Sequence, residues 1–152
     1  MKRGQGAFEY VLVVGIAMLL IVPGAVLFYN YSSKSADEVS RSQIDIIGKD
    51  FIDAVEKVYY IGENSWETIK IDVPENVKWI YVLNNSELII EYDSHVGRSE
   101  AVFFSDINIT TPYSMSGKWY ISDITIENET HAGYRLVKIT SMGSYVLINE
   151  TR

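Results

Sequence analysis

The sequence predicts an α+β fold in which a long N-terminal hydrophobic α-helix packs on a small C-terminal antiparallel β domain, either a sandwich or a curved sheet. Three observations lead there. No charged residue occurs from Tyr10 to Tyr29. Apolar residues then recur at helical spacing as far as Val58. Beyond Gly62 the apolar period falls to two, in short runs rich in Val, Ile, Tyr, Trp and Thr.

The chain has 152 residues, room for about one domain. It carries 20 acidic against 13 basic side chains, a net charge of −7. Binding to a phosphate backbone needs a clustered positive surface, so no nucleic-acid partner is expected. The absence of Cys excludes disulfides, thiol chemistry and Cys-ligated metals.

Taken in order, the first element is the apolar run. About 20 residues at about 1.5 Å each match the hydrocarbon thickness of a bilayer, so this helix can span one. Lys2 and Arg3 precede it and no comparable basic cluster follows, which places the N-terminus in the cytoplasm and the rest outside. A cleaved secretory signal fits poorly, because its apolar region is shorter and ends at a small-residue site. An ordinary anchor fits the length but leaves Glu9 unexplained, since a carboxylate one turn inside a lipid-facing helix is costly without a partner. Cleavage after Gly4 would supply one. The new α-amino group on Gln5 then lies four residues before Glu9, within reach inside one helix or between adjacent subunits.

The order of basic residues, Gly4, Gln5, small residues, Glu9-Tyr10 and a long apolar helix resembles the precursors of archaeal type IV pilins, which carry a class III signal sequence. The resemblance covers about the first 25 residues, and it departs from the family at Ala7, where Ser is frequent. It implies that a prepilin peptidase cuts between Gly4 and Gln5, that Glu9 serves assembly, and that the apolar helix is the polymerisation element. The implied parts are a cytoplasmic leader at 1–4, a transmembrane and polymerisation helix at 5–31, an amphipathic helix at 32–60 and an extracellular β domain at 61–152. The implied partners are further copies of the chain in a helical homopolymer or other pilins, the peptidase, the pilus assembly machinery and, before assembly, the membrane. The precursor would sit in the cytoplasmic membrane and the product in a surface filament. Two alternatives from other classes are a monomeric membrane-anchored extracellular binding protein and a secreted hydrolase.

Pro23-Gly24 interrupts the apolar run, where a kink or melted stretch is expected. Val39, Ile44, Ile47, Phe51, Val55 and Val58 then mark one face of an amphipathic helix reaching about Tyr60. Strands are expected at Thr68–Val73, Val77–Leu83, Glu87–Tyr92, Glu100–Phe104, Trp119–Ile126, Tyr134–Thr140 and Tyr145–Ile148. Asn84-Asn85 suits a tight hairpin turn, and Met142-Gly143 suits the last one. Val77–Leu83, apolar on both faces apart from Lys78, reads as a central strand. In Glu87–Tyr92 the alternation puts Glu87 and Glu91 on a wet face.

The N-x-[S/T] sequon occurs at Asn30, Asn84, Asn108, Asn128 and Asn149. With eight Asn and 22 Ser or Thr, chance would supply about one. Asn84, Asn108, Asn128 and Asn149 are therefore candidates for N-glycosylation, whereas Asn30 lies too close to the membrane. A preference of both residue types for turns also raises the count. His95 and His131 each have a carboxylate nearby but lie in turn-rich stretches, and solvated loop histidines are expected. Trp66, Trp79 and Trp119 are expected to be core residues, although an exposed subset would suit adhesion. No nucleophile elbow, phosphate loop or zinc-protease motif is present. Neither enzymatic activity nor a cofactor or metal is expected.

Overall fold

The computed structural model describes residues 3–123 and 132–151, with side chains from Phe8 onward. The chain divides into two compact units, Met1–Glu38 and Val39–Arg152. The first is helical throughout its described residues. It belongs to α1, Arg3–Ile61, a helix of 59 residues that runs unbroken through Pro23, so no stretch melts there. A proline removes only its own N–H from the ladder, and the hydrogen bonds on either side still carry the helix.

In the second unit, α1 contributes Ile44, Ile47, Phe51, Ala54, Val55 and Val58 to the core, all buried. Steps of three and four place them on one stripe. Val39 is the exception to the expected stripe, being 58% exposed, so burial begins at Ile44. The helix stops where Gly62 takes a φ of 119° and its N–H donates to the Val58 carbonyl at 3.3 Å. The Ser65 hydroxyl adds a 2.5 Å hydrogen bond to the same carbonyl.

Nine strands follow: β1 (Trp66–Val73), β2 (Val77–Leu83), β3 (Glu87–Ser94), β4 (Gly97–Phe104), β5 (Ile109–Thr110), β6 (Tyr113–Met115), β7 (Lys118–Tyr120), β8 (Gly133–Ser141) and β9 (Val146–Thr151). They form a four-stranded sheet ordered β1-β8-β9-β5 and a five-stranded sheet ordered β4-β3-β2-β7-β6. Pairing is antiparallel except for β5 with β9, which is parallel. As expected, β2 is central, third of five. The strand foreseen at Trp119–Ile126 is only three residues long as β7, after which the chain leaves the sheet at Ile121 and Ser122; Ile124, Thr125 and Ile126 lie outside the described residues. β5 and β6 were not foreseen, because two or three residues show no period and Pro112 stands between them.

Both expected turns form. Asn84 and Asn85 take φ of 53° and 59°, and the Ser86 N–H donates to the Leu83 carbonyl at 3.2 Å, closing a tight turn between β2 and β3. Met142-Gly143 opens the turn between β8 and β9, where the Met142 N–H donates to the Tyr145 carbonyl at 2.8 Å. The core joins the helix stripe to Ile71, Val73, Val137, Ile139, Val146 and Ile148 of one sheet and Ile80, Val82, Leu88 and Ile90 of the other. Burying each such side chain is worth about 1.5–3 kcal/mol.

Candidate functional site

Within the first unit, the stretch from Tyr10 to Tyr29 is apolar on every side of the helix. From Phe8 to Ser32 every residue is exposed, including Leu19 at 72% and Phe28 at 74%. The helix is long and apolar enough to cross a membrane, and its most apolar window is wholly unburied. A helix hydrophobic all round needs a cover of lipid or of other helices. Glu9 is exposed near its start and makes no ion pair with another described residue. Gly4 and Gln5 lie in the helical backbone, and their side chains fall outside those described.

The sequons occupy different settings. Asn84 is exposed on the β2–β3 turn, with its side-chain amide 3.4 Å from Glu87 Oε1. Asn108 is exposed just before β5, and its carbonyl accepts the Val146 N–H at 2.8 Å. Asn149 is exposed within β9, opposite Lys138 of β8. Asn30 is inside α1. Asn128 and His131 lie outside the described residues. His95 is exposed on the β3–β4 turn, and among the described residues no group of three or more His, Cys, Asp or Glu could hold a metal.

The tryptophans divide. Trp119 packs against the core, whereas Trp79 departs from the expected core position: it pairs with Glu91 on the opposite face of the sheet and meets Tyr120 edge to face at 5.1 Å, both tryptophans being partly buried. Trp66 departs from the expected core position: it is 62% exposed on β1, where Lys138 Nζ stands 5.0 Å from its ring. Its strand is at the edge of the four-stranded sheet, so one flank lacks the neighbour that would cover it.

Another departure concerns Glu91. Its position opposite the core face predicts a wet side chain, yet the residue is only 6% exposed. Arg98 from β4 approaches it at 3.2 Å and Lys118 from β7 at 3.9 Å. Lys118 also donates to the Tyr81 hydroxyl at 3.0 Å, and that hydroxyl donates to Glu100 Oε1 at 3.1 Å. Burial pushes the Tyr81 hydroxyl above its ordinary range, with Glu100 acting in the same direction and Lys118 against it. The hydrogen bond with Tyr81 in turn holds the Lys118 ammonium above its own ordinary range. Five charged or aromatic groups thus form a polar cluster on the face of the five-stranded sheet away from the core. Alternation in β3 identified the face, but nothing in the sequence showed that β7 would bring Lys118 across it.

The chain matches no protein-family model, and no curated protein or solved structure matches it.

Proposed function

We propose that the chain is a structural or adhesive subunit of an archaeal type IV-like pilus. The observation that carries this reading is the exposed helical stretch at residues 8–29, apolar apart from one carboxylate, Glu9, near its front. The precursor rests in the cytoplasmic membrane with its N-terminus inside. A prepilin peptidase cuts between Gly4 and Gln5, removing Lys2 and Arg3 and freeing an α-amine. The assembly machinery then moves the helix out of lipid and against the same helices of other subunits. At about 25 cal/mol per Å² of apolar surface, that burial holds a polymer together once lipid is left behind. Glu9 pairs with a freed amine, which offsets the cost of a carboxylate in a dry setting. The acidic β domain faces outward and carries N-glycans at one or more of Asn84, Asn108, Asn128 and Asn149.

Mass spectrometry of the native protein tests the reading. The chain should begin at Gln5. Retention of Met1 or Lys2 would overturn the proposal in favour of a lone anchored binding protein, and a start beyond Tyr29 would point to a secreted one.

A further inference from the structure

A cleft of about 540 Å³ opens at one end of the second unit, where the β2–β3 turn, β5, β7 and the β8–β9 turn meet. Its size falls within the ordinary range for small-ligand sites. Trp119 and Tyr145 supply aromatic surface, and Asn85, Asn108, Thr110 and Ser144 supply amides and hydroxyls. Among the described residues no charged side chain lines it, in a chain where 22% of residues are charged.

The walls are tied to one another. The Ile109 N–H donates to the Asn85 carbonyl and the Val146 N–H to the Asn108 carbonyl, both at 2.8 Å. The Thr111 hydroxyl donates to the Tyr120 carbonyl at 2.6 Å, holding the β5 end against β7. These bonds use backbone groups and the Thr111 hydroxyl, leaving the side-chain amides of Asn85 and Asn108 with no hydrogen bond to another described residue. Asn85 is held at a φ of 59°, a backbone state that Asn tolerates better than most residues.

Neutral amides and hydroxyls beside aromatic faces match one chemical class. A pyranose presents hydroxyls that both donate and accept, and a C–H face carrying slight positive charge that stacks on the negative face of an aromatic ring. An anionic ligand would find no cation among the described lining residues, and the net charge of −7 would repel it. We infer that this cleft is a binding site for a neutral saccharide. The site is independent of how the apolar helix is used. The sugar has two possible sources: a glycan attached to Asn108 at the rim of the cleft, or a glycan from outside the chain.

The test uses the full chain, made in a host without N-glycosylation and kept in a detergent with no sugar headgroup. Saturation-transfer NMR is read with neutral oligomers of glucose, galactose, mannose and N-acetylglucosamine, and with an oligohexuronate as the acidic probe. At least one neutral oligomer should bind with a Kd of about 1 mM or tighter. Tyr145→Ala, which removes one aromatic face, and Asn85→Gly, which keeps the turn and removes the amide, should each weaken it about tenfold with an unchanged circular dichroism spectrum. If the native-source chain binds equally, the sugar comes from outside; if it does not bind, its own glycan already fills the cleft. Absence of binding by every neutral oligomer at about 10 mM, equal binding of the acidic probe, or indifference to both substitutions would overturn the assignment.

Discussion

The Phe103 ring of β4 lies so close to Gly48 of α1 that a β-carbon at position 48 would overlap the ring. Both residues belong to the second unit, and Phe103 is packed against the core cluster. A glycine inside a helix ordinarily costs about 0.5–1 kcal/mol relative to alanine. Here that cost accompanies the close approach of strand and helix.

Gly48→Ala should therefore destabilise the protein, although helix propensity alone predicts the opposite sign. Displacing the ring is an overpacking cost of about 1–3 kcal/mol, which exceeds the propensity gain. Denaturant unfolding of the full chain in detergent measures the difference. In a Phe103→Ala background the same substitution should lose its penalty; a raised midpoint for Gly48→Ala alone would show that the ring yields freely.

Glu91 should need its cations. Its side chain is 9% exposed, and truncating Arg98 and Lys118 together leaves a carboxylate in a dry site without compensation. The double alanine variant should lose about 1–3 kcal/mol, discounted because Arg98 itself is well exposed. Adding Glu91→Leu should return much of it. The comparison is of unfolding midpoints at constant salt, and no recovery on removing the acid would mean that the cations act through their packing.

Stability should fall at alkaline pH. Tyr81 and Lys118 both hold their protons more tightly when folded than when unfolded. The native state therefore binds more protons than the unfolded one above about pH 10, and stability declines as pH rises through the folded values. Below the unfolded values both contributions are fully present. Tyr81→Phe should flatten part of the decline in melts between about pH 8 and 11. An unchanged slope would place the loss at other groups.

Assembly and processing should separate genetically if the filament reading holds. Glu9→Ala should leave cleavage after Gly4 intact while reducing filament number at least about tenfold, since an interaction worth about 1.4 kcal/mol per contact is lost at every subunit. Gly4→Phe should instead leave full-length precursor in the membrane. Electron microscopy counts filaments and mass spectrometry reads the N-terminus. Normal filaments from Glu9→Ala would remove the role given to that acid.

Much of the architecture was legible because it rests on local chemistry. The run from Tyr10 to Tyr29 is apolar on every side of a helix, so any fold of this chain leaves it in need of lipid or of other helices. Ile44, Ile47, Phe51, Val55 and Val58 have the spacing of one buried stripe, and Asn84-Asn85 accepts positive φ, so the stripe and the turn form wherever the rest of the chain goes. Tertiary structure decided what covers each face. Period two assigns Glu91 and Tyr81 to one side of the sheet, but only pairing with β4 and β7 brings Arg98 and Lys118 over them. Val39 and Trp66 stay exposed for the converse reason: each has the pattern of a buried residue with too little of the sheet reaching it. The cleft at Trp119 and Tyr145 joins turns and strands distant in sequence, and its neutral lining exists only after both sheets have formed. A local pattern specifies which way a side chain points; the distant segments that pack there determine whether water remains.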